Sequence, residues 1–258
     1  MTISLFIMNL RRIIIPSIVV ALLWLNAQPA YSQGISELHS FRAISLESPI
    51  DDLAIVSGGE LVDCMIPSHR RSQPFALTAG EQTLRFVKRG SVIPPEGVQL
   101  LPVLLEVPVA TGYTNPLYIF YPNPNSSDAP YGVFPIEDSP ARFEGGMGIF
   151  VNLSSYPMVL LFGESGSERI QIAPQKTYLH EFKGESVNVR VRIATYAEDT
   201  VQKGMDTRVF PAATHRDIYF IYPVRGQDAG TVRMRLLREH TNAAKRAYSG
   251  SLEKNSVE

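Results

Sequence analysis

The chain has 258 residues, 45% of them hydrophobic and 19% charged, with 24 Lys and Arg against 25 Asp and Glu for a formal net charge of −1. That composition can build a core and, at this length, has room for one large or two ordinary domains, while no basic run suits nucleic acid. A single cysteine, Cys64, excludes an intramolecular disulfide, so packing alone must hold the fold.

At the N-terminus, Arg11 and Arg12 precede an apolar run from Ile13 to Leu25, followed by small and polar residues through Ala30, Tyr31 and Ser32. This is the layout of a secretory signal peptide over residues 1–32, with cleavage after Ser32. The run is shorter than the roughly twenty residues a bilayer span needs, so no membrane span is expected after cleavage. The paired arginines resemble a twin-arginine signal, but the rest of that motif is missing, and no cysteine follows the run to carry a lipid. Cleavage leaves 22 basic against 25 acidic side chains, a mildly acidic exported protein of the periplasm or the extracellular space.

Beyond the signal, short apolar runs separated by turn residues predict strands near Phe41–Leu46, Leu53–Val56, Leu61–Ile66, Pro74–Leu77, Gln82–Val87, Leu101–Val107, Leu117–Tyr121 and Gly132–Ile136. After a charged stretch with Ser139-Pro140 and Gly145-Gly146, a second set follows near Gly148–Leu153, Met158–Phe162, Arg169–Ile172, Thr177–Phe182, Ser186–Ile193, Thr207–Phe210, Ile218–Tyr222 and Thr231–Leu237. The two sets echo each other. Pro116-Leu-Tyr-Ile-Phe-Tyr-Pro122 returns as Asp217-Ile-Tyr-Phe-Ile-Tyr-Pro223 at an offset of 101, and Ser45–Pro49 faces Asn152–Pro157 at about 107. Matches between them keep their order, as expected of two copies of one unit. The aromatic run is apolar on both alternating faces, which places it centrally in its sheet with a second face also covered. The reading is all-β: two tandem immunoglobulin-like sandwich domains, 39–142 and 147–240, with a polar tail over 241–258 that is frayed or briefly helical.

The second half is the more basic, with 15 basic and 13 acidic residues from Glu144 onward against 7 and 12 from Gln33 to Phe143. Arg190, Arg192, Arg233 and Arg235 alternate with apolar residues, so each pair is expected on the outward face of its strand. Such arginines either keep an ordinary solvated face soluble or bind an anionic polymer through their guanidinium forks. A shared patch requires both strands in one sheet; on opposite sheets each arginine is only a solubilising charge.

Catalytic and metal chemistry finds little purchase. Cys64, His69 and His39 approximate the copper set of a cupredoxin, but Met65 faces away from Cys64 on its strand, so Cys64 is expected to be a small buried hydrophobe beside Val62 and Ile66. No cofactor is implied. Gly163–Ser167 lacks the last glycine of a nucleophile elbow and reads as a hairpin turn. Asp51-Asp52, Glu137-Asp138 and Glu198-Asp199 read as turn residues. Of two glycosylation triplets, only that at Asn125 is a plausible acceptor, since Asn152 falls in a strand.

The chain therefore reads as a non-enzymatic binding or scaffolding protein whose partner is an unknown envelope protein or polysaccharide. One alternative is an enzyme or accessory module acting on anionic polysaccharide. Another is a strand-donating chaperone, since the plan resembles that of the periplasmic pilus chaperones. Asp206–Pro211 lies deep in the second unit, where that family's comparable motif opens the first domain, so no residue role carries over.

Overall fold

A computed structural model describes residues 40–123, 131–182, 188–197, 200–224 and 231–245; the signal-peptide reading of residues 1–32 and the acceptor Asn125 lie outside the described residues. The first half holds β1 (Ser40–Ser45), β2 (Ile50–Ser57), β3 (Glu60–Ile66), β4 (Phe75–Ala76), β5 (Thr83–Lys88), β6 (Val103–Pro108), β7 (Pro116–Pro122) and β8 (Tyr131–Glu137). The second holds β9 (Met147–Asn152), β10 (Met158–Phe162), β11 (Glu168–Ile172), β12 (Lys176–Glu181), β13 (Val189–Ala197), β14 (Thr200–Val209), β15 (His215–Pro223) and β16 (Val232–His240).

Each run expected from sequence meets one of these strands. The largest departure is β14, which begins at Thr200 rather than Thr207. Its pairing with β13 slips between Ile193 and Ala194, where Met205 and Lys203 are the successive partners and Gly204 is left over. That bulge resets the two-residue alternation and hides the first part of the strand from a periodicity reading.

Four sheets result, in orders β4-β1-β7-β8, β3-β2-β5-β6, β12-β9-β15-β16 and β11-β10-β13-β14. Raising every strand number of the first pair by eight gives the second pair. In each half the first and seventh strands pair in parallel, β1 with β7 and β9 with β15. The Leu46 N–H donates to the Phe120 carbonyl at 2.8 Å and the Leu153 N–H to the Ile221 carbonyl at 2.8 Å, at the offsets of 107 and 101 read from the sequence.

The sheets stack with apolar side chains between them. Phe41, Ala43, Leu53, Ile55, Cys64, Phe86, Tyr118 and Phe120 fill the first sandwich. Phe150, Leu160, Val191, Ile193, Tyr219 and Ile221 fill the second. A third cluster lies between the halves, where Ile44, Leu117 and Ile119 of one inner sheet meet Ile149, Val151, Ile218 and Phe220 of the other. Both aromatic strands are thus apolar on two faces because the opposite half covers the second face, each such side chain contributing about 1.5–3 kcal/mol. Residues 38–258 form one compact unit.

The stretch linking the halves is part of this seam. Asp138 and Phe143 are each 1% exposed. A Cβ on Gly145 would collide with the Ala213 carbonyl oxygen, so only glycine allows that approach. Residues 241–245 form a short helical turn.

Candidate functional site

Two groups of charged residues stand out, one inside the seam and one on an outer face. Within the seam, β1 brings Arg42, the β3–β4 connection Arg71, the end of β8 Asp138, β15 Arg216 and β16 Glu239. Arg71 grips Asp138 through Nε and through Nη2 to Oδ1 at 2.8 Å, and its Nη1 lies 3.1 Å from Glu239 Oε2. Arg216 reaches Glu239 from Nε at 2.9 Å and donates from Nη1 to the Asp138 carbonyl at 2.9 Å, with its guanidinium over the Phe143 ring.

Burial pulls the Arg71 guanidinium down, but Asp138 and Glu239 beside it outweigh burial and leave it raised; for Arg42 burial prevails and lowers it. Three guanidinium groups and two carboxylates are thus closed in together. Both carboxylates accept hydrogen bonds from the guanidinium groups around them. The cluster fixes one half against the other.

The outer face of β11-β10-β13-β14 has a different character. Met158, Leu160 and Phe162 point into the second sandwich, so alternation turns Val159 and Leu161 outward. Leu161 pairs with Arg169 of β11 on one side and with Arg192 of β13 on the other, and Arg192 pairs in turn with Asp206 of β14. One row along, Arg190 pairs with Arg208.

Arg190 takes Asp206 in a two-pronged contact, Nε to Oδ1 at 2.9 Å and Nη2 to Oδ2 at 2.6 Å, which raises its pKa. Arg208 pairs with Glu164 and donates to Asn188 Oδ1 at 3.1 Å. Arg169 donates to the Tyr196 hydroxyl at 3.2 Å. Arg192 folds over Gly166, where any Cβ would strike its Nη2, and its Nε is buried without an acceptor among the described residues.

The four arginines expected to act together are divided. Arg190 and Arg192 lie on the outer face of the second half. Arg233 and Arg235 lie on β16, in the other sheet, on the strand face that carries Leu237 of the seam. The expectation of an outward face is thus corrected for Arg235. Arg235 crosses the seam to the carbonyls of Leu46 and Ser68 in the first half, and Arg233 is exposed. No single stripe of four forms.

Cys64 lies beside Ile66 in the first core, and burial pushes its thiol up to about 12. Among the described residues no group of three or more His, Cys, Asp or Glu could hold a metal ion. His180 stacks on Phe162, with ring centroids 4.1 Å apart, and His215 lies against His240. Gly163–Ser167 is the turn of the β10–β11 hairpin, with positive φ at Gly163 and Gly166.

Asn152 is buried, its amide donating to the Tyr156, Ile172 and Ala173 carbonyls, which leaves no nitrogen open to a sugar. Glu137 accepts the N–H groups of Thr114, Asn115 and Ser139, as a turn residue should, whereas its neighbour Asp138 enters the seam. Glu198-Asp199 lies outside the described residues.

Sequence reading missed the seam charges. A signal was present for Arg216: carried back two residues, the alternation of β15 sets it on the face of Ile218 and Phe220, and a charge on a doubly covered strand demands a partner. Arg169, Arg208 and Tyr196 were also passed over, because only strand pairing brings them beside Arg190 and Arg192. Among the described residues no helix is long and apolar enough to cross a membrane. In comparison with known proteins, no family and no curated protein matches the chain.

Proposed function

We propose that the chain is an exported, non-enzymatic binding or scaffolding protein of the cell envelope or extracellular space, built of two tandem sandwich domains, 39–142 and 147–240, behind a signal peptide at 1–32. These domains are immunoglobulin-like in the broad sense of two packed sheets of short strands with short turns; the strand order has its own pattern, β4-β1-β7-β8 over β3-β2-β5-β6. The observation that carries the reading is the division of charge. Among the described residues a dense ionisable cluster is enclosed in the seam, where it holds two sandwiches together, and the second half turns an arginine-bearing sheet face outward. A rigid frame with an open, flat, charged face suits binding better than it suits catalysis, which needs an enclosed site.

A second reading, an accessory module for anionic polysaccharide, is favoured by the same face, since Arg169 and Arg192 have no carboxylate among the partners described above. The test is fractionation of the host with N-terminal sequencing, followed by incubation with anionic polysaccharides and measurement of new reducing ends. Recovery outside the cytoplasm with Gln33 as first residue, and polymers of unchanged length, is the expected result. An intact Met1 in the cytoplasm overturns the export reading, and chain cleavage overturns the non-enzymatic one.

A further inference from the structure

The outer face of the second half is flat and only partly neutralised: Arg169, Arg190, Arg192 and Arg208 share it with Glu164 and Asp206. Arg190 and Arg208 are held by those two acids. Arg169 and Arg192 are not, and they flank Leu161 two strands apart, which sets their backbones about 10 Å from each other. Arg192 also rests poorly. Among the described residues its Nε is a buried donor without an acceptor, a state that costs about 1–3 kcal/mol, and its Nη2 makes a 3.5 Å contact with the Glu164 carbonyl. A guanidinium swung out from Gly166 toward an incoming anion would relieve that orphan.

We infer that this face binds a linear uronate polysaccharide, with Arg169 and Arg192 each taking a carboxylate, Leu161 as the apolar floor between them, and Tyr196 beside Arg169 as a platform for a sugar ring. This deepens the polysaccharide reading above and rests on it. The choice of carboxylate follows from the face itself, where Arg190 already donates to both oxygens of the Asp206 carboxylate in the two-pronged geometry that guanidinium favours. A polymer is favoured because no pocket among the described residues encloses a small anion on this face, so binding gains its strength from repeated engagement along a chain. Nucleic acid fits less well, because a duplex carries one phosphate charge per roughly 1.7 Å of axis, more densely than one carboxylate per sugar ring, and Glu164 and Asp206 would repel it the more strongly.

The test is affinity electrophoresis of the full chain through gels containing polygalacturonate, at low and rising salt. The wild type should be retarded at low salt, and R169Q/R192Q should bind at least about tenfold more weakly, as expected when charge-assisted hydrogen bonds are lost. Ala194→Glu, which sets an acid on the same face next to Arg192 along β13, should weaken binding similarly, while Arg233→Gln on the other sheet and Arg89→Gln in the first half should not. Circular dichroism checks that each variant folds. No retardation of the wild type, equal retardation of all variants, or equal retardation by duplex DNA with the same variant pattern overturns the inference. None of these outcomes bears on export or on the absence of cleavage, which fractionation and reducing-end assays read separately.

Discussion

The outer sheets of the two halves, β3-β2-β5-β6 and β11-β10-β13-β14, share a strand order and differ in what lies over them. In the first half, residues 89–102 separate β5 from β6, and that segment folds back so that Val98 and Leu101 pack on Ala54, Val56 and Val87. In the second half only residues 198–199 separate the corresponding strands, and the same face carries Arg169, Arg190, Arg192 and Arg208. The length of one connection thus sets the chemistry of a whole sheet face. Where a segment covers the face, apolar side chains are stabilising; where none of the described residues covers it, charge keeps an exposed sheet soluble.

Breaking the seam that both halves share should have the largest effect. Asp138→Ala leaves Arg71 and Arg216 buried without that carboxylate, and should cost about 3–5 kcal/mol in denaturant unfolding. A single transition in the variant means that the two faces belong to one cooperative body; two transitions mean that the halves answer to separate cores.

The covered face should be the next most sensitive. Leu101→Ala removes the side chain by which the covering segment packs on the sheet and should destabilise by about 2–3 kcal/mol. If the loss is within the error of the wild type, the segment is not packed on the sheet and the contrast between the faces fails.

A third difference is chemical, because the only thiol sits in the first sandwich. With Cys64 raised to about 12 when folded from 9.0 for the free thiol, its contribution is fully present below about pH 9 and is lost as pH rises toward 12. By pH 10 the loss should reach about 1.4 kcal/mol, and the stability of Cys64→Ala should fall less steeply over that interval. Parallel slopes for the two proteins would mean that Cys64 is exposed, and thiol labelling of the native protein would then be fast.

The open face should respond least. Glu164→Gln removes the carboxylate shared by Arg190 and Arg208 at the surface and should cost less than about 1 kcal/mol, with the difference shrinking at high salt. A larger, salt-insensitive loss would make that face part of a structural core.

The strands themselves were legible because alternation and turn residues act locally. So was the two-sided burial of Pro116–Pro122, since no residue between Leu117 and Phe120 is polar. What alternation cannot supply is which of two faces meets solvent. Arg235 shares a face with Leu237 and turns to the seam rather than outward, while Arg233, two residues back on the same strand, stays exposed. The seam cluster was harder to read, because Arg42, Arg71, Asp138, Arg216 and Glu239 come from distant points in the chain and only the stacking of the two inner sheets joins them.

The shared seam also bears on the order in which the chain can fold. A polypeptide that emerges N-terminus first completes β7 and β8 well before β9 and β15 exist, so Leu117, Ile119 and Ile136 stay uncovered in the interval. The nascent first half is a sticky intermediate, prone to pair with another copy of itself through the surface that its own second half will later occupy. Truncation after Arg142 should therefore yield aggregates or dimers rather than a stable monomer, and a holding chaperone should matter most while the second half is still being made.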